Sequence, residues 1–211
     1  MLKAELLIQL LDSQNRLKRE IQQPSRSFVR QFIQALYVLH SGLAYSPTDI
    51  TNTAKAMSAS NAFNDLRLVA PGGNAQVVIM GQDGTEDYKY LGDQIGIQVG
   101  TGVIAPTAND YVMGTRIAHG QAAGQFVYAG CEIEPVVVAA PSASFLLRRY
   151  FNNKSGGAIT VNEVGLYMAL YCGAVDNLAY IFLAARDNVA GGVAVGINEL
   201  LRVQYTIQVT V

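Results

Sequence analysis

The sequence predicts a mainly β protein: an antiparallel β-sandwich or jelly-roll-like domain preceded by an N-terminal α-helical arm. From about residue 76 onward, apolar and polar residues alternate as they do along half-buried strands. Turn residues separate these segments at short intervals, with no helical segment between them. Residues 1–23 instead contain closely spaced leucines and no glycine. We therefore expect a helical arm over 1–45, a connector over 46–75 and a sandwich over 76–211.

The arm is predicted to consist of two helices broken near Pro24. Before this proline the chain is rich in Leu, Lys, Glu, Gln and Arg, which are strong helix formers. After it an apolar pattern resumes and stops at Gly42, a residue type common at helix C termini. Such an arm is too short to form its own bundle, so we expect its apolar stripe to pack against another chain. The candidate interface residues are Leu6, Leu10, Leu17, Ile21, Phe28 and Phe32.

The sandwich is predicted from a series of strand-like segments. The final stretch is the clearest, because Leu201 and Val203 point to one face and Arg202 to the other. Within residues 158–172, which contain "ITVNEVGLYM", the apolar residues change from one face of the strand to the other. This change predicts a bulge near Glu163–Gly165. The remaining expected strands cover residues 76–80, 95–100, 125–130, 134–140, 144–151, 158–172 and 179–187.

Composition predicts a protein that associates with copies of itself. Only 15% of the residues are charged, against roughly 25% in a typical soluble domain, and half are hydrophobic. Charged residues are depleted at the centre of subunit interfaces, so a low charge content favours a homo-oligomer. The net charge of −1 predicts no attraction to nucleic acid or to an anionic membrane. Basic residues within 1–30 alternate with acids and leucines, which is typical of a solvated helix face rather than of a DNA-binding arm.

The sequence also carries no targeting or membrane signal that we can identify. No apolar run reaches the ~18 residues that a membrane span needs. The first residues lack the features of a secretory signal peptide. Cys131 and Cys172 are too few for a disulfide framework and lack metal-ligand spacing. Assembly in a reducing cytoplasm, without a membrane partner, is the expectation.

The glycine-rich stretch over residues 92–120 differs from a nucleotide-binding loop. A dinucleotide fingerprint requires its glycines between a strand and a helix, whereas here Pro106 stands where the helix would begin. The Gly-Lys-Ser/Thr triplet of a phosphate loop does not occur in the chain. We interpret the glycines as turn positions and close sheet contacts, and predict no cofactor.

Histidines and acidic runs give no strong catalytic pattern. His40 and His119 are the only histidines, so one chain cannot supply a multi-histidine metal site. His119 with Cys131 or a serine would be the base and nucleophile of a hydrolase, but no nucleophile elbow accompanies it. We interpret His119 as a turn histidine with a structural hydrogen bond, and the acids of 83–87 as a hairpin turn rather than a calcium loop. No catalytic residue, metal ligand or small-molecule substrate is predicted.

Charged residues within the strands are interpreted structurally as well. Glu132 and Glu134 share one face of a strand, which favours a solvated sheet edge over a paired-carboxylate site. Arg148 and Arg149 face opposite sides and cannot form one basic patch. One of them is expected to cross an interface or to pair with an acid such as Glu163.

Four segments in the second half of the chain occur in a fixed order: "VGTGVIAPTANDY", "ITVNEVGLY", "LAARD" and "VQYTIQVTV". Together they resemble a group of tailed-bacteriophage virion proteins, over a little more than half of the chain. The resemblance implies a non-enzymatic structural component of the virion without indicating which one, and our first hypothesis places it at the neck, tail or fibre-attachment region. It implies assembly in the host cytoplasm with copies of itself and other virion proteins. The alternatives are a capsid decoration protein and, from other classes, a host-glycan or ligand-binding sandwich module or a hydrolase.

Overall fold

Strands dominate the structure, and every pairing between them is antiparallel. The computed structural model describes residues 2–25, 28–41, 45–55, 94–172 and 178–210. Within these ranges the elements in chain order are β1 (Leu2–Leu11), β2 (Leu17–Ser25), α1 (Arg30–Ser41), β3 (Gly96–Gly100), β4 (Val127–Ala139), β5 (Ser142–Asn152), β6 (Ile159–Cys172), β7 (Leu178–Val195) and β8 (Leu200–Thr210).

The strands form two sheets that share one hydrophobic core. Sheet A has the order β2-β1-β8-β5-β4, and sheet B has the order β3-β6-β7. Leu6 and Tyr205 of sheet A and Val164 and Phe182 of sheet B belong to the same cluster of buried side chains. The prediction of a mainly β, antiparallel, sandwich-like fold is therefore confirmed.

Strand β8 lies at the centre of sheet A and follows its predicted pattern. Leu201, Val203 and Tyr205 are fully buried, whereas Arg202 and Gln204 between them are partly exposed. Because β8 is hydrogen-bonded to β1 on one side and to β5 on the other, its inward residues are covered by both neighbours.

The predicted first helix of the arm is wrong, because the chain forms the β1–β2 hairpin there. The inward residues of β1 are Ala4, Leu6, Ile8 and Leu10, which alternate with polar or partly exposed residues. They are opposite the inward residues of β8, with Leu6 paired to Tyr205. Burial against a central strand outweighs the intrinsic helix propensity of this segment.

The second predicted helix is present as α1, a single helix of 12 residues. The chain before it runs along the outer edge of β7, where Val29 N–H donates to the carbonyl of Ala184 at 3.0 Å and Phe28 forms a bridge with Ala185. Phe28 and Phe32 stack with ring centroids 4.6 Å apart. Within the described residues no helix has the length and hydrophobicity needed to cross a bilayer.

The other predicted strands differ from the structure in detail. The segments 125–130 and 134–140 form the single strand β4, and the strand predicted over 179–187 continues as β7 through Gly191 and Gly192 to Val195. The bulge predicted near Glu163–Gly165 is wrong, because these residues are in regular register with Asn188, Asp187 and Arg186, and the extra residues of the neighbouring register shift lie on β7. The strand predicted over 76–80, the acids of 83–87 and the connector after Lys55 lie outside the described residues.

Candidate functional site

The outer face of sheet B is covered by the glycine-rich segment 101–117, called here the covering loop. Its two ends are hydrogen-bonded to each other and to β3, because Thr101 N–H donates to Thr115 O and Ile117 N–H donates to Val99 O, both at 2.9 Å. Met113 of this loop packs with Tyr167, Leu183 and other residues in a second hydrophobic cluster. The part of the glycine-rich stretch that follows β3 therefore packs over the outer face of sheet B.

Glu163 of β6 fixes the covering loop from below. Its Oε1 accepts N–H groups from Gly102 at 3.1 Å and Thr115 at 2.7 Å. Its Oε2 accepts the N–H of Gly114 at 3.1 Å and the Nε–H of Arg186 at 2.8 Å. A carboxylate offers about four acceptor positions, and here each oxygen receives two donors. The arrangement suits a structural anchor for the loop.

Arg186 of β7 links this carboxylate to a second one. It donates from Nη1 to Asp110 at 2.7 Å and from Nη2 to the carbonyl of Ile104 at 3.0 Å. Burial tends to lower the pKa of Arg186, but the hydrogen bonds to Asp110 and Glu163 raise it above its usual value. Burial likewise tends to raise the pKa of Asp110, but donors from Thr107 and Arg186 lower it overall. Asp110, Glu163 and Arg186 are called here the anchor cluster, in which the charged forms of Asp110 and Arg186 are favoured.

Two glycines are required by the close approach of loop and sheet. A Cβ on Gly102 would lie 2.2 Å from Glu163 Oε1, and a Cβ on Gly165 would lie 2.7 Å from Met113 Sδ. The hydroxyl of Tyr167 accepts the N–H of Met113 at 2.7 Å, and burial raises the pKa of Tyr167 to about 12. The segments "VGTG", "NDY", "EVGLY" and "AARD", which are far apart in sequence, thus meet in one place.

Asp187 lies next to Arg186 but faces the core between the sheets. It accepts hydrogen bonds from the hydroxyls of Ser25 at 2.7 Å and Tyr205 at 2.9 Å. Burial, followed by the nearby charge of Asp187, raises the pKa of Tyr205 well above its usual value. The "ARD" motif therefore fixes the covering loop through its arginine and ties β2, β7 and β8 together through its aspartate.

The residues weighed for catalysis have structural contacts. His119 Nδ1 accepts the N–H of Tyr128 at 3.1 Å, which is the structural hydrogen bond predicted for it. Cys131 is buried, and burial raises the pKa of its thiol. Arg149 is buried and donates to the carbonyls of Ala129, Ile95 and Ile97. One of the adjacent arginines was expected to pair with an acid such as Glu163; Arg148 does pair with an acid, Glu132, whereas Glu163 pairs with Arg186.

Most of the predicted interface residues are engaged within the chain itself. Leu6 and Leu10 are buried in the core, and Ile21, Phe28 and Phe32 pack against it. Leu17 is 55% exposed at the start of β2. The stripe was assigned on a helical period, but on the β1–β2 hairpin Leu6, Leu10 and Ile21 face the core and Leu17 does not.

Four exposed aliphatic side chains on one strand of sheet A were missed by the sequence reasoning. Strand β4 is an edge of sheet A and carries Ile133, Val136, Val137 and Val138, all exposed and called here the valine edge. The most exposed of them is Val138, at 78%. From Pro135 to Leu147 the hairpin has no charged residue, and this uncharged run was the signal available in the sequence.

Two acids on either side of Ile133, at the start of the valine edge, lie where the sequence predicted. Glu132 and Glu134 are exposed and share one face of the edge strand, where both pair with Arg148. The predicted solvated edge is thus confirmed.

Neither a search for metal-binding side chains nor comparison with known proteins assigns a role to this site. Within the ranges that the structure describes, no three His, Cys, Asp or Glu side chains are grouped to hold a metal ion. No family model, curated protein or solved structure matches the chain.

Proposed function

We propose that the protein is a non-enzymatic structural component of a tailed-bacteriophage virion, at the neck, tail or fibre-attachment region. It assembles as a symmetric homo-oligomer in which the valine edge of one copy contacts a neighbouring copy. The observation that carries the proposal is the valine edge itself, four exposed aliphatic side chains on an edge strand that has no charged residue from Pro135 to Ala139.

An exposed, apolar edge strand is a template for association. Its outward N–H and C=O groups can pair with a strand of another chain, and natural proteins usually block such edges with charge or proline. The opposite edge of sheet A is blocked in this way, because β2 carries Lys18, Arg19 and Glu20 along it. Arg19 also donates to the carbonyl of Gly192. From Val136 to Val138 the edge formed by β4 carries neither charge nor proline, and this contrast with β2 supports β4 as the assembling edge.

The anchor cluster supports the virion assignment through the motifs that it uses. The segments that carry the resemblance to phage virion proteins supply its two carboxylates and its arginine. They also supply Gly102, whose N–H donates to Glu163. Those residues stabilise the covering loop, a role suited to a building block. A charged fraction of 15% fits a protein with part of its surface buried against other subunits. We also propose that the β-domain has a jelly-roll-like topology.

The assembly is tested by substituting one valine of the edge. Val138→Lys places a charge where a neighbouring copy would bury it, so we expect the dissociation constant of the oligomer to rise at least about tenfold. Val103→Lys is the matched control, because Val103 is 73% exposed but lies on the covering loop. Sedimentation equilibrium of the full chain measures both. Wild-type protein that stays monomeric at high concentration, or equal weakening by both variants, would contradict the proposal.

The position in the particle is tested by stoichiometry. In a tailed phage that encodes this chain, mass-resolved counting of intact particles is expected to give the few copies of a neck or tail ring. Hundreds of copies would instead indicate the rival function, a capsid decoration protein. Absence of the chain from purified particles would overturn the virion assignment altogether.

A further inference from the structure

The outer face of sheet A has a groove next to the β1–β2 turn that the assembly described above does not use. Its volume is about 650 Å³, within the range of small-molecule sites. The lining residues are Gln9, Leu11, Asn15, Leu17, Tyr150, Leu200 and Arg202.

The strand register arranges these side chains in two rows. Arg202 of β8 stands directly between Gln9 of β1 and Tyr150 of β5, which forms a polar row. Leu11 of β1 is opposite Leu200 of β8, and Leu17 of β2 is opposite Leu11, which forms an apolar row beside it. A polar row beside an apolar wall is suited to a ligand that has a charged group at one end and an apolar group at the other.

The polar row has unused hydrogen-bonding capacity. Gln9 is only 8% exposed and its amide nitrogen donates to Glu20, yet its Oε1 is buried without a partner. The Nε of Arg202 is also buried without a partner. Among the described residues Arg202 forms no ion pair, whereas Arg148, Arg149 and Arg186 all have named acceptors. Buried polar groups are nearly always paired, so two unpaired groups in one groove indicate a missing partner.

The missing partner can be described by its chemistry. A guanidinium matches a carboxylate with two parallel hydrogen bonds. The free oxygen of Gln9 is an acceptor, so the ligand must present an N–H or O–H close to its carboxylate. The leucines require an aliphatic group attached to the same centre.

We propose that this groove binds an N-acylated apolar amino acid, either free or as the last residue of a peptide. The carboxylate pairs with Arg202, the neighbouring amide N–H donates to Gln9 Oε1, and the side chain lies against Leu11, Leu17 and Leu200. This inference goes beyond the structural role proposed above and does not depend on it.

Titration calorimetry of the full chain with N-acetyl-leucine tests the site. We expect saturable binding by the wild type, weakened at least about tenfold when the carboxylate is replaced by an amide in N-acetyl-leucine amide. Arg202→Gln is expected to weaken binding of the acid by a similar factor. Arg16→Gln is the matched control, since Arg16 lies in the nearby turn and pairs with Asp12. It should bind like the wild type.

Leu17→Asp provides a second variant that keeps the test decisive if Arg202→Gln fails to fold. Leu17 is exposed, so the substitution leaves the core intact while it places a negative charge on the apolar wall. Binding of N-acetyl-leucine should then fall below detection. A peptide ending in leucine distinguishes the two sources: tighter binding than the free acid assigns a peptide end, and weaker or equal binding assigns the free acid. No binding by folded wild type, or equal binding of the acid and the amide, overturns the proposal.

Discussion

Two cross-strand Glu–Arg pairs lie in opposite surroundings in this molecule. The Glu163–Arg186 and Glu132–Arg148 pairs each have an N–O distance of 2.8 Å. The side chains of the first pair are 0% and 4% exposed, whereas those of the second are 53% and 24% exposed. The first pair lies beneath the covering loop and the second lies beside the valine edge.

The difference shows that the surroundings of an ion pair decide its role. Around Glu163 three backbone N–H groups complete the coordination, so the carboxylate organises a loop. Around Glu132 water screens the charges, and exposed pairs of this kind contribute about 0–1 kcal/mol. The covering loop is therefore fixed to sheet B by polar contacts, while the edge of sheet A stays exposed.

The largest effect is expected when the acid of the buried pair is removed, with removal of the exposed acid as the comparison. Glu163→Ala removes the acceptor of the buried Arg186 Nε–H and of three part-buried amide N–H groups, so we expect the free energy of unfolding to fall by about 3–5 kcal/mol. Glu132→Ala is the matched control and should cost at most about 1 kcal/mol. Urea denaturation of both variants measures the two values. Similar losses for both would mean that burial does not distinguish the pairs.

The contrast also separates what the sequence could predict from what it could not. Strand β8 was predictable because Leu201, Val203 and Tyr205 alternate with polar residues over a full strand. The β1–β2 hairpin was not, because Leu6 and Leu10 fit a period of two as well as a helical period. A usable signal was the turn itself, where Asp12 accepts N–H groups from Gln14 and Arg16.

The anchor cluster lay beyond sequence reasoning for a different reason. Asp110, Glu163 and Arg186 are separated by long stretches of chain, and only the pairing of β6 with β7 brings the last two together. The glycines gave a partial signal, since close approach was predicted for them without the identity of the group approached. The valine edge was visible as an uncharged run, but its exposure depends on β4 being the last strand of its sheet.

The second largest effect is expected where the backbone of the covering loop comes close to Glu163. Gly102→Ala would push a methyl group into a carboxylate that four hydrogen bonds hold in place, so we expect a loss of about 1–3 kcal/mol in the free energy of unfolding. Gly156→Ala is the control, because a Cβ there meets nothing within 4 Å. It should be neutral or slightly stabilising, by up to about 1 kcal/mol, because alanine restricts the unfolded chain. Thermal and urea unfolding compare the two, and a neutral Gly102→Ala would show that the loop shifts freely.

The smallest effect concerns Tyr167, whose hydroxyl lies under the covering loop and whose pKa is raised to about 12, chiefly by burial. Because the folded value lies above the unfolded value of 10.0, this tyrosine stabilises the fold fully below pH 10 and loses its contribution as the pH rises toward 12. Tyr167→Phe lacks the titrating group, so the stability difference between wild type and this variant should shrink by roughly 1.4 kcal/mol between pH 9 and pH 11. Urea denaturation at both pH values gives this difference, and groups common to both proteins cancel from it. A difference that stays constant would mean that the covering loop admits water to the hydroxyl, and the contrast between a sealed sheet B and an open edge of sheet A would then fail at this position.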